Sequence, residues 1–215
     1  MPPPRRPYHR IAEEQRRESL IAAAIDLIAE GGPARATVRA IAARAGVTPG
    51  LIRHYFDSKD DLTRAAFAAV MDRMTQDSIR AASEADPATA IATIVVASLH
   101  PPVMDADRVR LWAGFLQMVQ QDPLMRDVHE KSYLRYRDVL QGLIAALPGT
   151  TGPDQARQLA IACNAVIDGL WLEGGVLPDG FAPGEVAQIG LSAVSAILGL
   201  PLLPAPLPPN ESEVP

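Results

Sequence analysis

The sequence predicts an all-α fold of about nine helices. Alanine is abundant, and Val and Ile nowhere alternate for long with polar residues, a composition that favours helices over strands. Apolar residues recur instead at helical spacing, and Pro, Gly and Asp clusters punctuate those stripes. Residues 1–10 are Pro- and Arg-rich and read as a disordered arm. A first helix follows from Glu13 to Glu30, with Leu20, Ala24, Leu27 and Ile28 on one face, and Gly31-Gly32-Pro33 ends it.

The next stretch carries the most information. Val38, Ile41, Ala42 and Ala45 form the apolar face of a short helix, with Thr37 before it as a cap and Gly46 just past its end. Thr48 can cap a second short helix with Pro49 in its first position, where a missing N–H does no harm. Ile52 and Phe56, one turn apart, pack back, so Thr48, Pro49, Gly50, Leu51, Arg53, His54 and Tyr55 point outward or end-on. Two short helices around a tight turn, the second with a small and polar N-terminal end, form a helix-turn-helix, whose second helix enters a DNA major groove. Thr37, Tyr55 and Lys59 are placed to hold phosphates, and Arg39 to reach a base or a phosphate. Arg53 is the candidate for guanine, because a guanidinium bonds O6 and N7 together; Gly50 permits close approach and Leu51 can touch a thymine methyl.

A longer helix is expected from Ser58 past Met74 towards Ser83, with Leu62, Ala66, Ala69, Val70 and Met74 as its stripe. Further helices read Ala88 to Leu99, Asp105 to Gln121, Asp122-Pro123 to Leu147, Asp154 to about Gly174 and about Pro183 to Leu198. The Pro-rich residues 200–215 read as a disordered tail. The expected organisation is an arm over 1–10, a helix-turn-helix DNA-binding domain over 11–60, a helical body over 61–199, and the tail.

Composition narrows the function. The net charge is −5, yet residues 1–60 balance at +3 and residues 61–215 at −8. A basic head on an acidic body is the footprint of a local phosphate-binding surface. Arg5, Arg6 and Arg10 are a candidate minor-groove arm. The single Cys163 excludes an internal disulfide and a cysteine metal cage, and its apolar surroundings read as a buried structural thiol. No apolar stretch follows the N-terminal arginines, and no apolar run reaches the length of a membrane span, so a cytoplasmic location is expected. Neither a cofactor nor a metal is expected: His9, His54, His100 and His129 lack ligand spacing, and no glycine-rich phosphate loop occurs.

The segment from about Gln15 to Leu62 resembles the DNA-binding domain of the TetR family of bacterial transcriptional regulators. The resemblance rests on Glu30-Gly31-Gly32, Thr37 to Ala42, Ala45-Gly46-Val47, and His54-Tyr55-Phe56 with Ser58 to Leu62. Asn164 to Leu172 is similar to the penultimate helix of the BetI-like branch, whose named member represses choline and betaine genes. The resemblance implies a ligand-responsive homodimer on a near-palindromic double-stranded operator, with residues 61–199 as its effector-binding and dimerisation domain. It implies a four-helix dimer interface from the last two helices, with Leu159, Cys163, Val166, Ile167 and Leu170 on one and Leu191, Val194, Ile197 and Leu198 on the other. A small-molecule effector pocket is expected in the body, with His100, Trp112, Phe115, Met118, Tyr133, Asp168 and Trp171 as candidates, and a choline-like cation as one ligand for such aromatics and carboxylates. An activator of the same fold is one alternative. From another class, the alternative is an enzyme in the helical body with a DNA-tethering head, for which Cys163 has no neighbouring base.

Overall fold

The computed structural model describes residues 7–82, 86–101, 103–149 and 152–203. The described residues contain nine α-helices and no strand: α1 Pro7–Gly31, α2 Val38–Arg44, α3 Pro49–Tyr55, α4 Lys59–Ala82, α5 Pro87–Ser98, α6 Ala106–Gln121, α7 Pro123–Ala145, α8 Pro153–Val176 and α9 Glu185–Leu198, with a 3-10 turn at Pro178–Gly180. The expected helices are all present, most ends shifted by one or two residues. The larger difference is at the start, where α1 begins inside the stretch read as an arm. Arg5 and Arg6 lie outside the described residues. At the other end the chain remains tied down beyond Leu200: Leu202 is buried and its N–H donates to Ser195 Oγ at 3.0 Å.

The chain forms two compact units, one built from the chain up to Met71 with Arg110–Glu130, the other from Asp72–Val109 with Lys131 onward. The boundary expected near residue 60 is therefore not a single cut. Leu62, Ala66, Phe67 and Met71 of α4 and Leu111, Phe115 and Val119 of α6 complete one core with Leu20, Ile28, Ile41, Ile52 and Phe56. Phe67 and Phe115 sit at its centre with ring centroids 4.8 Å apart. Arg44 braces α2 to α1 through Glu30 at 2.8 Å, and Arg64 reaches Asp122 at 2.9 Å. Asp122 also caps α7, accepting from the Leu124 N–H at 2.9 Å.

In the second unit α8 packs on α9, and α5 on both. Residues Ala90 to Val96 of α5 are all buried, as expected of a helix apolar all round. Asp86 caps it, accepting from the N–H groups of Ala88 and Thr89. Gly190 of α9 makes room for α5: a Cβ there would lie 2.3 Å from Leu99 Cδ1. Against the expectation, α8 is long and apolar enough to cross a membrane by length and composition. In this fold that apolarity faces protein, with Ala156, Ala160, Cys163, Asn164, Ile167 and Trp171 buried. The Trp171 indole N–H donates to the Val103 carbonyl at 2.8 Å.

Candidate functional site

The helix-turn-helix is built by local capping. Thr37 Oγ1 accepts from the Ala40 N–H at 3.2 Å and starts α2. Gly46 ends it at φ +65, in the left-handed region glycine enters cheaply, and the Val47 N–H closes on the Ala42 carbonyl at 2.9 Å. Thr48 holds the N-cap position of α3, but its side chain makes no cap hydrogen bond, which corrects the expected capping role. The reason is local: Pro49 brings no N–H, and the Leu51 N–H is taken by the Thr48 carbonyl at 3.0 Å. The Thr48 hydroxyl is thereby left exposed at the front of the helix.

Ile52 and Phe56 are buried, whereas Thr48, Pro49, Gly50, Arg53 and His54 are exposed and Leu51 and Tyr55 half-buried. His54 and Tyr55 meet edge to face at 5.1 Å. A groove of about 600 Å³ runs beside α3 and is lined by Arg39, Arg53 and Lys59 with Asp57 and Ser58. The structure thus brings three of the sequence's candidate cations to one concavity. Lys59 is steadied by the Pro33 carbonyl at 3.5 Å, and Ser58 Oγ caps α4 by accepting from the Asp61 N–H at 3.0 Å. Chemically, this face offers cations, a hydroxyl and a short protruding helix end, which is what a phosphate backbone and a groove edge accept.

Gly50 is an unusual residue inside this helix, because a Cβ there would meet nothing of the chain within 4 Å. Its own fold does not require a glycine, and glycine costs about 1 kcal/mol against alanine in a helix. Gly50→Ala is therefore expected to leave or slightly raise the melting temperature while weakening operator DNA binding. Unchanged DNA affinity would show that no backbone approach happens there.

The candidate effector residues divide. Trp112, Phe115 and Met118 pack into the core that carries the helix-turn-helix. His100, Tyr133, Asp168 and Trp171 belong to the other unit. His100 is exposed beside the Pro101 carbonyl, and Trp171 is committed to Val103. Tyr133 and Asp168 are brought together: the Tyr133 hydroxyl donates to Asp168 Oδ2 at 2.6 Å. Asn164, absent from the expected site, joins them through its Nδ2, which donates to Asp168 Oδ2 at 2.9 Å and to the Tyr133 oxygen. Burial and the adjacent Asp168 carboxylate hold the Tyr133 phenol well above its ordinary range. Burial also pushes Tyr136 up to about 12, although the Ser98 hydroxyl 3.1 Å away opposes the shift.

The residues expected at a dimer interface also divide. Cys163, Ile167, Leu191 and Val194 are buried within the chain's own core, and burial pushes the Cys163 thiol up to about 11. Leu159, Val166, Leu170, Ile197 and Leu198 are half-buried. The large apolar side chains of these two helices that are open to solvent are others: Ile161, Leu172 and Val176, on one face of α8, and Ile189 of α9. Ala165 and Gly169 stand on that α8 face between the large residues. The signal was in the i, i+4 spacing of small and large residues, but α8 is apolar on several faces and its inward side had no mark.

Residues 20–66 match the family model for bacterial regulatory proteins of the tetR family, and residues 87–199 match that of the BetI-type transcriptional repressor C-terminal domain. The HTH-type transcriptional regulator BetI of Burkholderia lata is 32% identical over 164 residues, covering 75% of this chain and 82% of that protein. A solved putative transcriptional regulator from Pseudomonas aeruginosa PAO1 is 31% identical at a TM-score of 0.77, covering 86% of this chain and 91% of that one. A putative regulator from Saccharomonospora viridis, solved in complex with choline, shares the fold at 21% identity and a TM-score of 0.71, covering 85% and 96%.

Proposed function

The chain belongs to the TetR family of bacterial transcriptional regulators, with a BetI-type C-terminal domain, and from that premise we propose that it is a homodimeric repressor released from its operator by a small-molecule effector. The observation that carries the reading is the α3 face, where Arg39, Arg53 and Lys59 surround a groove beside an exposed, uncapped helix end. In a dimer two such helices would enter successive major grooves of a near-palindromic operator, about 34–36 Å apart. The protein would act in the cytoplasm, where that DNA is.

Release requires an effector that binds the DNA-free state better than the operator-bound one; binding alone shifts nothing. Tyr133, Asn164 and Asp168 support an effector site in the BetI-type domain, because they gather a carboxylate, a phenol and an amide within one unit. A choline-like cation is one reading, favoured by the Asp168 carboxylate and by the choline complex of the Saccharomonospora relative of the same fold.

The test is fluorescence anisotropy on DNA upstream of the protein's own gene, across a salt series, with and without choline and betaine aldehyde. Tight binding is expected, with the logarithm of the binding constant falling linearly with the logarithm of the salt concentration, as phosphate contacts release counterions. Weak binding indifferent to sequence would sink the regulator reading. Arg53→Ala should weaken operator binding by about 5- to 150-fold, the loss of one bidentate base contact. Its effect on random-sequence DNA should be much smaller; an equal loss on both would move Arg53 from base reading to phosphate holding.

The dimer would form on the exposed stripe of Ile161, Leu172 and Val176 with Ile189, rather than on the buried Cys163, Ile167 and Val194. Gly169 fits this role. An added Cβ there would meet nothing of the chain within 4 Å, so the glycine serves a helix approaching from outside.

A further inference from the structure

Two buried polar atoms, one on α8 and one on α7, have no hydrogen-bond partner among the described residues: Asn164 Oδ1 and Arg137 Nε. Asn164 is 2% exposed, and while its Nδ2 serves Asp168 and Tyr133, its buried Oδ1 accepts no hydrogen bond. Arg137 stands one turn beyond Tyr133 on α7, and its buried Nε donates to nothing among the described residues. Its charge reaches the same phenol, opposing the upward pull of burial and of Asp168. Buried donors and acceptors are nearly always paired, so an acceptor left over beside the Asp168 carboxylate, with a cationic donor left over one turn along α7 from Tyr133, is the outline of something bound.

We propose that this cluster is the effector site and that it takes an amphoteric small molecule, with a carboxylate for Arg137 and a cationic group bearing an O–H or N–H donor for Asp168 and Asn164 Oδ1. The assignment rests on the effector reading above and departs from it in ligand class. A simple organic cation is attracted by Asp168 but gives the Arg137 Nε no acceptor and meets the Arg137 positive charge. A fully methylated betaine supplies the carboxylate but no donor for Asn164. Charge-assisted hydrogen bonds are the strong ones, so Arg137 is the group that would separate these ligands.

The full-length protein is titrated calorimetrically with choline, glycine betaine and carnitine. Choline carries a cation and a donor, glycine betaine a cation and a carboxylate, and carnitine all three groups. Carnitine is expected to bind about tenfold or more tightly than the other two, the scale of one charged hydrogen bond. Arg137→Gln should abolish carnitine's advantage over choline, with choline binding as tightly as before or more tightly once the repulsion is gone, and with the melting curve of the variant showing it folded. Equal binding of all three, choline tightest, or an equal loss of all three in Arg137→Gln would overturn the proposal. So would no binding at all, which would mean that an internal water satisfies both groups. Operator release is read in parallel. Arg137-dependent binding without release would keep the site and sink the effector reading. Choline-driven release indifferent to Arg137→Gln would do the reverse.

Discussion

Leu172→Glu is expected to convert the dimer to monomers and to lower operator affinity by about a hundredfold or more. Leu172 is 41% exposed, in line along α8 with Ile161 at 37% and Val176 at 58%. Large apolar side chains that recur on one exposed helix face, with Ala165 and Gly169 between them, have the form of a helix-packing seam without its partner helix. In a twofold interface each residue is used twice, so one substitution buries two carboxylates. The chain's own core is untouched, because the side chain already faces outward, and each monomer should melt near the wild-type temperature. The affinity loss follows from linkage. One bound head holds the second near its half-site at high effective concentration, and that gain, about 10²–10⁴ in avidity, goes when the dimer does. Sedimentation velocity reads the first effect and anisotropy the second. Cys163→Ser is the contrasting substitution: it should cost stability through a buried hydroxyl and leave the dimer intact. A dimeric Leu172→Glu variant, or a monomeric Cys163→Ser, would return the interface to the inward face.

These two residues show what could be read from the chain. The helix-turn-helix was legible because it is made locally: Thr37 caps, Gly46 turns, Pro49 starts, and Ile52 and Phe56 alternate with exposed Arg53 and His54. Periodicity also placed the later helices. It failed on α8 because Leu159, Ile161, Cys163, Val166, Ile167, Leu170 and Leu172 are apolar in nearly every direction, so the stripe has no phase. Only packing against α5 and α9 turns Cys163 inward and Ile161 outward. Thr48 failed differently, since a capping residue in a capping position lost its partner N–H to its own carbonyl. Arg137 and the Asn164 oxygen had no signal at all, because a missing hydrogen bond is a property of three dimensions.

Phe115→Ala is expected to destabilise the DNA-binding head although it lies 60 residues beyond α3. Phe115 is fully buried, its ring 4.8 Å from that of Phe67 and in the same core as Ile41, Ile52 and Phe56. Truncating such a phenylalanine removes its transfer free energy and leaves a cavity, about 3–5 kcal/mol together. A domain holds about 5–15 kcal/mol in all, so most of the margin goes. The sequence groups Phe115 with Trp112 and Met118 as an aromatic stripe in the body, and on that reading the substitution would open a ligand pocket and spare the head. The structure assigns all three to the core that carries α2 and α3. Hydrogen exchange separates the two. Amides of residues 38–55 should lose protection in Phe115→Ala while those of α9 keep theirs, and operator binding should fall with the head's stability rather than with any ligand. Protection lost in α9 and retained in α2 and α3 would place Phe115 in the body and undo the division of the chain that puts α6 with the head.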